Sequence, residues 1–145
     1  VVWKATGVAD GIGFPQRLSE RKPPSSTEWL IGEALTNLYV GLSRDRRGEK
    51  LSAMRFIQGY AVDRILELSE KVERTTTIAR DEYCIERRYE QRFPALAKRL
   101  PEFLQGYEKN RASALAVLAY LDENFEINPA MKQAVLALKE RLARR

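Results

Sequence analysis

Apolar residues recur at three- and four-residue spacing through most of the chain, and this spacing predicts amphipathic helices. The clearest run lies between Ser25 and Glu73, where the short basic turn RDRRGEK separates two apolar stripes. The stripes contain Ile31, Leu35, Leu38 and Leu42 in the first helix, and Leu51, Met54, Ala61, Ile65, Leu68 and Val72 in the second. Because further apolar residues widen the first stripe, we expect the first helix to be buried on more than one side.

The helix boundaries follow from capping and breaker residues. Ser25 with Glu28 has the spacing of a capping box, so the first helix is expected to begin there and the second to run from about Glu49 to Val72. Later helices are predicted over about Arg80–Arg92, Pro94–Leu100, Tyr107–Asn124 and onward from Asn128-Pro129, with Pro101 either kinking a helix or starting one. The fold class is therefore all-α: an antiparallel helical bundle of five to six helices.

Residues 1–24 differ from the rest of the chain. They are rich in glycine and proline and show no helical period, while Val1 to Ala5 has the pattern of a strand and Asp10-Gly11 that of a turn. We interpret residues 1–24 as an irregular or β-like connector, or the remnant of a preceding domain, with a floppy arm as the alternative. Residues 25–145 then form the helical bundle domain.

The composition excludes several kinds of functional site but does not indicate a particular function. The 25 basic and 20 acidic residues leave a net charge of +5 but are mixed along the chain, which favours a solvated surface over a nucleic-acid partner. With no histidine and one cysteine, Cys84, the chain lacks the common nucleophile pairs and histidine-based metal sites. No apolar run approaches the ~20 residues of a membrane span, and the lone cysteine fits a reducing, cytoplasmic location.

Polar residues interrupt the two apolar helices of the Ser25–Glu73 stretch. Glu33 and Asn37 lie one turn apart in the first helix, and Gln58 occupies the seam of the second, where an unpaired buried amide costs ~1–3 kcal/mol. With Tyr60 and Asp63 they are the candidate substrate-binding residues, lining a cleft for a polyhydroxylated or aminated ligand. The alternative is an internal hydrogen-bond network that sets helix register.

The turn between the two helices is strongly basic. Arg44, Arg46 and Arg47 are candidates for contact with a phosphate or an acidic partner, and ordinary solvation of the loop is the alternative. No glycine-rich phosphate loop and no carboxylate spacing typical of a metal site is present, so no catalytic or metal-binding residue is predicted.

Two runs of the sequence resemble the helical C-terminal half of bacterial nucleotidyltransferases that modify antibiotics, the lincosamide- or aminoglycoside-like type. They are EWLIGEALTNLYVGLSRDRRGEKLSAMRFIQGYAVDRILEL and FPALAKRLPEFLQGYEKNRASALAVLAYLDENF. The resemblance implies a domain that binds the acceptor and forms a homodimer. It also implies that Mg²⁺ and a nucleoside triphosphate are held by a separate catalytic domain.

The catalytic part of that family is not found in this sequence. The Gly-Ser and paired aspartates that hold the metal in such enzymes have no counterpart here, so this chain alone should be inactive. The chain also resembles the helical partner of minimal nucleotidyltransferases in toxin–antitoxin pairs, but without histidine it does not fit their ribonuclease members. A non-enzymatic helical interaction or dimerisation module is the alternative function.

Overall fold

The regular structure of this chain is helical throughout the part that is described. The computed structural model describes residues 5–7, 25–78, 80–81 and 83–140, with side chains as far as residue 138, and these ranges contain no strand. This confirms the predicted all-α class. Ala5 to Gly7 ends in a turn, whereas most of the predicted N-terminal strand and connector lies outside the described residues.

The first helix, α1 (Thr27–Arg46), begins one residue later than its sequence pattern indicates. Ser26, and not Ser25, is the N-cap, since its hydroxyl oxygen accepts a hydrogen bond from the Trp29 N–H at 3.1 Å. Seven residues on the inner face of α1 are buried, among them Leu38 with no exposed surface. At its end Gly48 adopts φ 83°, the left-handed conformation that glycine tolerates, and reverses the chain.

The second helix, α2, runs without a break from Lys50 to Val72 but changes its winding. It is α-helical over Lys50–Met54, π-helical over Arg55–Ala61 and α-helical again over Val62–Val72. The sequence predicted a uniform helix here, because periodicity does not register the extra residue of a π turn. Such π turns are rare and often accompany functional or constrained positions.

Three short helices follow, where the sequence predicted two longer segments. They are α3 (Tyr89–Arg92), α4 (Pro94–Ala97) and α5 (Leu100–Phe103). The prediction of a helix over Arg80–Arg92 is wrong for the described residues before Tyr89, which form turns and irregular chain ending at Arg88 with φ 56°. Pro101 starts α5 instead of kinking a longer helix, because proline fits the first turn.

Two longer helices complete the described chain. A 3₁₀ turn at Tyr107–Lys109 leads into α6 (Asn110–Asn124), and α7 (Pro129–Glu140) starts at the predicted Asn-Pro. The described residues thus form seven helices, four of them long, and their buried apolar side chains make one core in which α1 contacts α2, α6 and α7. Within these residues no helix has both the length and the apolar character needed to cross a membrane.

Candidate functional site

Gln58, one of the predicted substrate-binding residues, lies inside the protein and is fully engaged there. Its side-chain oxygen accepts a hydrogen bond from the Gly106 N–H at 2.8 Å, and its amide nitrogen donates to the Gly106 carbonyl at 2.8 Å and to Asn110 Oδ1 at 2.9 Å. Gly106 has φ 91°, so glycine suits this clamped peptide. Gln58 therefore belongs to an internal hydrogen-bond network, the alternative to a substrate-binding cleft.

Asn110 extends this network to the turn between α1 and α2. Its amide nitrogen donates to the Lys50 carbonyl at 3.0 Å and to Asp45 Oδ1 at 3.3 Å, while the Arg111 guanidinium donates to Asp45 Oδ2 at 3.0 Å. The sequence did not single out Asn110, since an asparagine at the start of a helix usually indicates only a cap. The network joins the start of α6 to the α1–α2 turn.

Tyr60 and Asp63, the other two predicted substrate-binding residues on α2, are less buried than Gln58. Tyr60 is 44% exposed and meets the Phe56 ring edge-on, with 5.3 Å between ring centroids. Asp63 is half-buried, and burial raises the pKa of its carboxyl, a shift that Arg64 opposes and Glu86 reinforces. Neither residue belongs to the groove described next.

An open groove of about 1020 Å³ lies between the first turns of α1 and the loop that joins α6 to α7. Among the five candidate substrate-binding residues, only Glu33 lines it. Its apolar lining comes from two segments far apart in the chain: Trp29, Ile31, Leu35, Phe125, Ile127 and Met131. Trp29 is 48% exposed, with the Arg64 guanidinium 5.7 Å from its ring centroid. Asn37 is half-buried on α1 outside the groove lining.

The polar atoms around the groove favour a positively charged ligand. Two helices begin there, but both starts are already capped: Ser26 accepts from Trp29, and Asn128 Oδ1 accepts from the Ala130 and Met131 N–H groups at 2.9 and 3.1 Å. Three carboxylates line the groove and form no ion pair with any described residue: Glu28, Glu33 and Glu126. They are the only charged side chains among the described residues that line the groove, in a chain of net charge +5.

The basic turn is largely paired within the chain. Arg44 donates to Ser52 Oγ at 2.7 Å and stacks 4.7 Å from the Phe56 ring centroid, and Arg47 Nε donates to Glu49 at 2.6 Å. Arg46 is exposed. Two of the three residues predicted for phosphate or partner contact therefore have partners inside the protein.

The described residues offer little for metal or thiol chemistry. Within them, no three histidine, cysteine, aspartate or glutamate side chains are grouped so as to hold a metal ion. Burial raises the pKa of the Cys84 thiol, with a further contribution from Glu86, which disfavours the reactive thiolate. Within the described part of the chain, the groove combines an open volume with polar and apolar side chains that can contact a ligand.

No protein-family model, curated protein or solved structure matches this chain. The resemblance to nucleotidyltransferases therefore rests on the two sequence runs that carry it. The groove and its carboxylates do not depend on that resemblance, because they are features of the folded chain.

Proposed function

We propose that this chain is the acceptor-binding and dimerisation domain of a nucleotidyltransferase, built as an antiparallel helical bundle. A separate catalytic domain, for which residues 1–24 would be the connector, would supply the Mg²⁺ and nucleoside triphosphate. The two sequence runs and the all-α fold support the class of protein. The observation that supports the binding role is the groove, whose three carboxylates form no ion pair within the described part of the chain.

The groove suits a cationic ligand with a ring system. A volume of about 1020 Å³ is at the upper end of the ~300–1,000 Å³ usual for small-molecule sites. Trp29 offers a half-exposed aromatic surface on which a sugar or other ring can pack. Glu28, Glu33 and Glu126 can accept charge-assisted hydrogen bonds from ligand ammonium groups. An aminated, polyhydroxylated acceptor has this chemistry.

The contribution of this domain to transfer would be to hold the acceptor in place. Holding two reactants in the right geometry makes a bimolecular step effectively unimolecular. In well-oriented cases this lowers the activation free energy by ~7–11 kcal/mol. Phosphoryl chemistry itself depends on metal-bridged oxygens, for which the sequence has no Gly-Ser and no paired aspartates. Binding and catalysis are thereby assigned to different domains.

A binding measurement tests the groove directly. Kanamycin and lincomycin are titrated into a Trp3→Phe variant, which leaves Trp29 as the only fluorophore of its kind. We expect a saturable change, weakened about tenfold or more by combined Glu28→Gln, Glu33→Gln and Glu126→Gln substitutions, because tenfold corresponds to ~1.4 kcal/mol. Glu90→Gln, at an exposed residue on α3, is the control for each of the three substitutions made singly.

A second comparison separates the groove from the cleft that the sequence suggested. Asp63 does not line the groove, so Asp63→Asn should leave binding unchanged while Glu33→Gln weakens it. Nucleotide transfer by the full-length protein, measured with the same two variants, should follow the same order. If both variants bind and transfer like the unsubstituted protein, neither residue belongs to the site.

One observation favours the alternative of a non-enzymatic interaction module. Leu51 is 68% exposed, and Leu104 and Tyr107 are each 47% exposed, so these large apolar side chains are available for contact with a partner protein. The upstream reading frame discriminates the two functions. A Gly-Ser and an Asp-x-Asp pair encoded before Val1 support the transferase, whereas a start codon adjacent to Val1 supports the module.

A further inference from the structure

The outward side of α1 carries little charge for a helix at the surface. Between Trp29 and Ser43 the sequence has one charged residue, Glu33. Trp29 is 48% exposed and Tyr39 is 41% exposed, so two aromatic rings of this helix lie partly in solvent. Surface helices normally present charged and polar side chains to water, so this side of α1 has the character of a contact surface.

The residues on this side follow the spacing of a helix–helix contact. They lie alternately three and four residues apart, as positions a and d of a coiled coil do, and we call them the α1 seam: Trp29, Gly32, Thr36, Tyr39 and Ser43. All are exposed except Ser43, which is half-buried. A second helix that packs lengthwise against α1 would cover the α1 seam.

The chain's own structure does not require a glycine at position 32. A methyl group at Gly32 would meet no other segment of the described chain within 4 Å, and the residue is helical, with φ outside the left-handed region. Glycine inside a helix is less favourable than alanine, because it loses more backbone freedom on folding. The space over Gly32 is therefore open to a side chain from another molecule.

A second copy of α1 that runs antiparallel supplies such a side chain. We place the two-fold axis at the level of Asn37. Tyr39 lies two residues beyond the axis, so its ring falls between the partner's Gly32 and the partner's Thr36. The axis repeats this contact in reverse, so the large side chain of each seam fills the space over a small residue of the other.

The same register brings opposite charges together. Glu28 and Arg46 are both exposed, and neither forms an ion pair within the described residues. They lie 18 residues apart, which is five full helical turns, so they project from the same side of α1. Each is nine residues from Asn37, so Glu28 lies level with the partner's Arg46. This charge complementarity favours a second copy as the occupant, and it leaves Glu33 and Glu126 to the acceptor in the groove.

We infer that two copies of this chain pair through the α1 seam, with their α1 helices antiparallel and Tyr39 of each copy over Gly32 of the partner subunit. The contact uses the same surface on both copies, so it closes into a two-fold dimer. Gly32 also lines the groove, so the contact runs along the α1 edge of the groove. This inference deepens the dimerisation part of the proposed function and rests on it.

Sedimentation equilibrium across protein concentration measures the dimer. We expect Tyr39→Arg to weaken it about tenfold or more, because the two-fold contact then contains an extra guanidinium twice. Tyr107→Arg changes a tyrosine of similar exposure, 47%, on the 3₁₀ turn and should leave the dimer unchanged. Circular dichroism verifies that each variant is folded.

Gly32→Leu separates a role in the contact from a role in the fold. Because the space over Gly32 is open in one copy, the dilute, monomeric variant should have a urea midpoint no lower than the unsubstituted protein. It should nevertheless weaken the dimer about tenfold or more, because leucine occupies the place of the partner's Tyr39. A variant that dimerises normally overturns the assignment of the α1 seam.

Charge reversal and fluorescence test the register. Glu28→Arg should weaken the dimer about tenfold at low salt, because the contact contains this ion pair twice, and Arg46→Glu in the same chain should restore it. In a Trp3→Phe background the emission of Trp29 should move to shorter wavelength as protein concentration rises through the dimer range, because the second copy removes water from the ring. An emission spectrum that does not change while the dimer forms places the contact elsewhere.

The outcomes separate this inference from the proposed function. A dimer that Tyr39→Arg leaves intact, or that Tyr107→Arg breaks instead, overturns the inference and leaves dimerisation standing. A dimer that the charge reversals do not affect excludes this antiparallel register. A monomer at every concentration overturns the inference and the dimerisation role together, and kanamycin binding to the Tyr39→Arg variant tests the acceptor role separately.

Discussion

The clamp formed by Gln58 offers the most direct test of how this fold is held together. Replacing Gln58 with methionine keeps a similar length and volume but removes the amide. Three hydrogen bonds are lost: two with the main chain of Gly106 and one with Asn110. Gln58 is 7% exposed, so water does not readily replace the missing partner.

The expected loss of stability follows from the groups left without a partner. An unpaired buried polar group costs ~1–3 kcal/mol, and the Gly106 peptide and Asn110 are the groups affected. Because Gly106 retains some access to solvent and Asn110 keeps its bonds to Asp45 and Lys50, we expect a total of about 2–4 kcal/mol. This is a large fraction of the ~5–15 kcal/mol by which a domain is stable.

Urea unfolding followed by circular dichroism measures this difference. A loss of this size lowers the urea midpoint by roughly 1–2 M at the slopes usual for small proteins. Gln91→Met changes an exposed glutamine in the same way and should shift the midpoint little. A Gln58→Met variant within about 0.5 kcal/mol of the unsubstituted protein would show that the clamp contributes little.

Three other substitutions or conditions have definite expected results. Gly41→Ala should cost about 1–3 kcal/mol in urea unfolding, because the new Cβ would lie 2.5 Å from Ile57 Cγ1; an unchanged midpoint would mean that the helices separate freely. Glu73→Ala should cost about 1–2 kcal/mol, since its carboxylate accepts the first two free N–H groups of α4 at 3.0 and 2.8 Å; urea midpoints decide, with Glu90→Ala as control. Burial raises the pKa of Tyr120 to about 12 and that of Tyr89 well above its usual 10.0. Because the folded state holds these two protons more tightly than the unfolded state, their contribution to stability is fully present below pH 10 and is lost as pH rises through 12. Urea midpoints at pH 8 and 11 measure this fall. Tyr120→Phe should reduce the fall without loss of stability at pH 8, because the buried Tyr120 hydroxyl has no hydrogen-bond partner among the described residues; a pH-independent midpoint would contradict the assignment.

Local pattern predicted the long helices well and the middle of the chain poorly. The stripes of α1 and α2 are continuous, whereas the predicted helix over Arg80–Arg92 is mostly turns in the described residues. Arg88 takes a left-handed conformation and Arg92 is 1% exposed, with its guanidinium donating to the Ile85 carbonyl at 2.6 Å. Hydrophobic periodicity places arginine on the surface, so it does not predict a buried arginine that hydrogen-bonds to the main chain of a loop.

The candidate site shows the same division. The sequence indicated that Gln58 needs a partner, but the partner, Gly106, is 48 residues away. Glu33 was recognised as unusual within an apolar helix, but the wall opposite it comes from the α6–α7 loop. A hydrophobic pattern covers only a few helical turns, so it does not predict contacts between segments this far apart in the sequence.

What the sequence determined by itself is therefore the all-α class, the faces of the long helices and the need of certain polar residues for partners. These follow from helical spacing and from the cost of burying an unpaired polar group, which are properties of neighbouring residues. The tertiary structure decided which polar residue became an internal clamp and which came to line a groove. That choice depends on contacts between segments far apart in the chain, where packing and hydrogen bonding act across the fold.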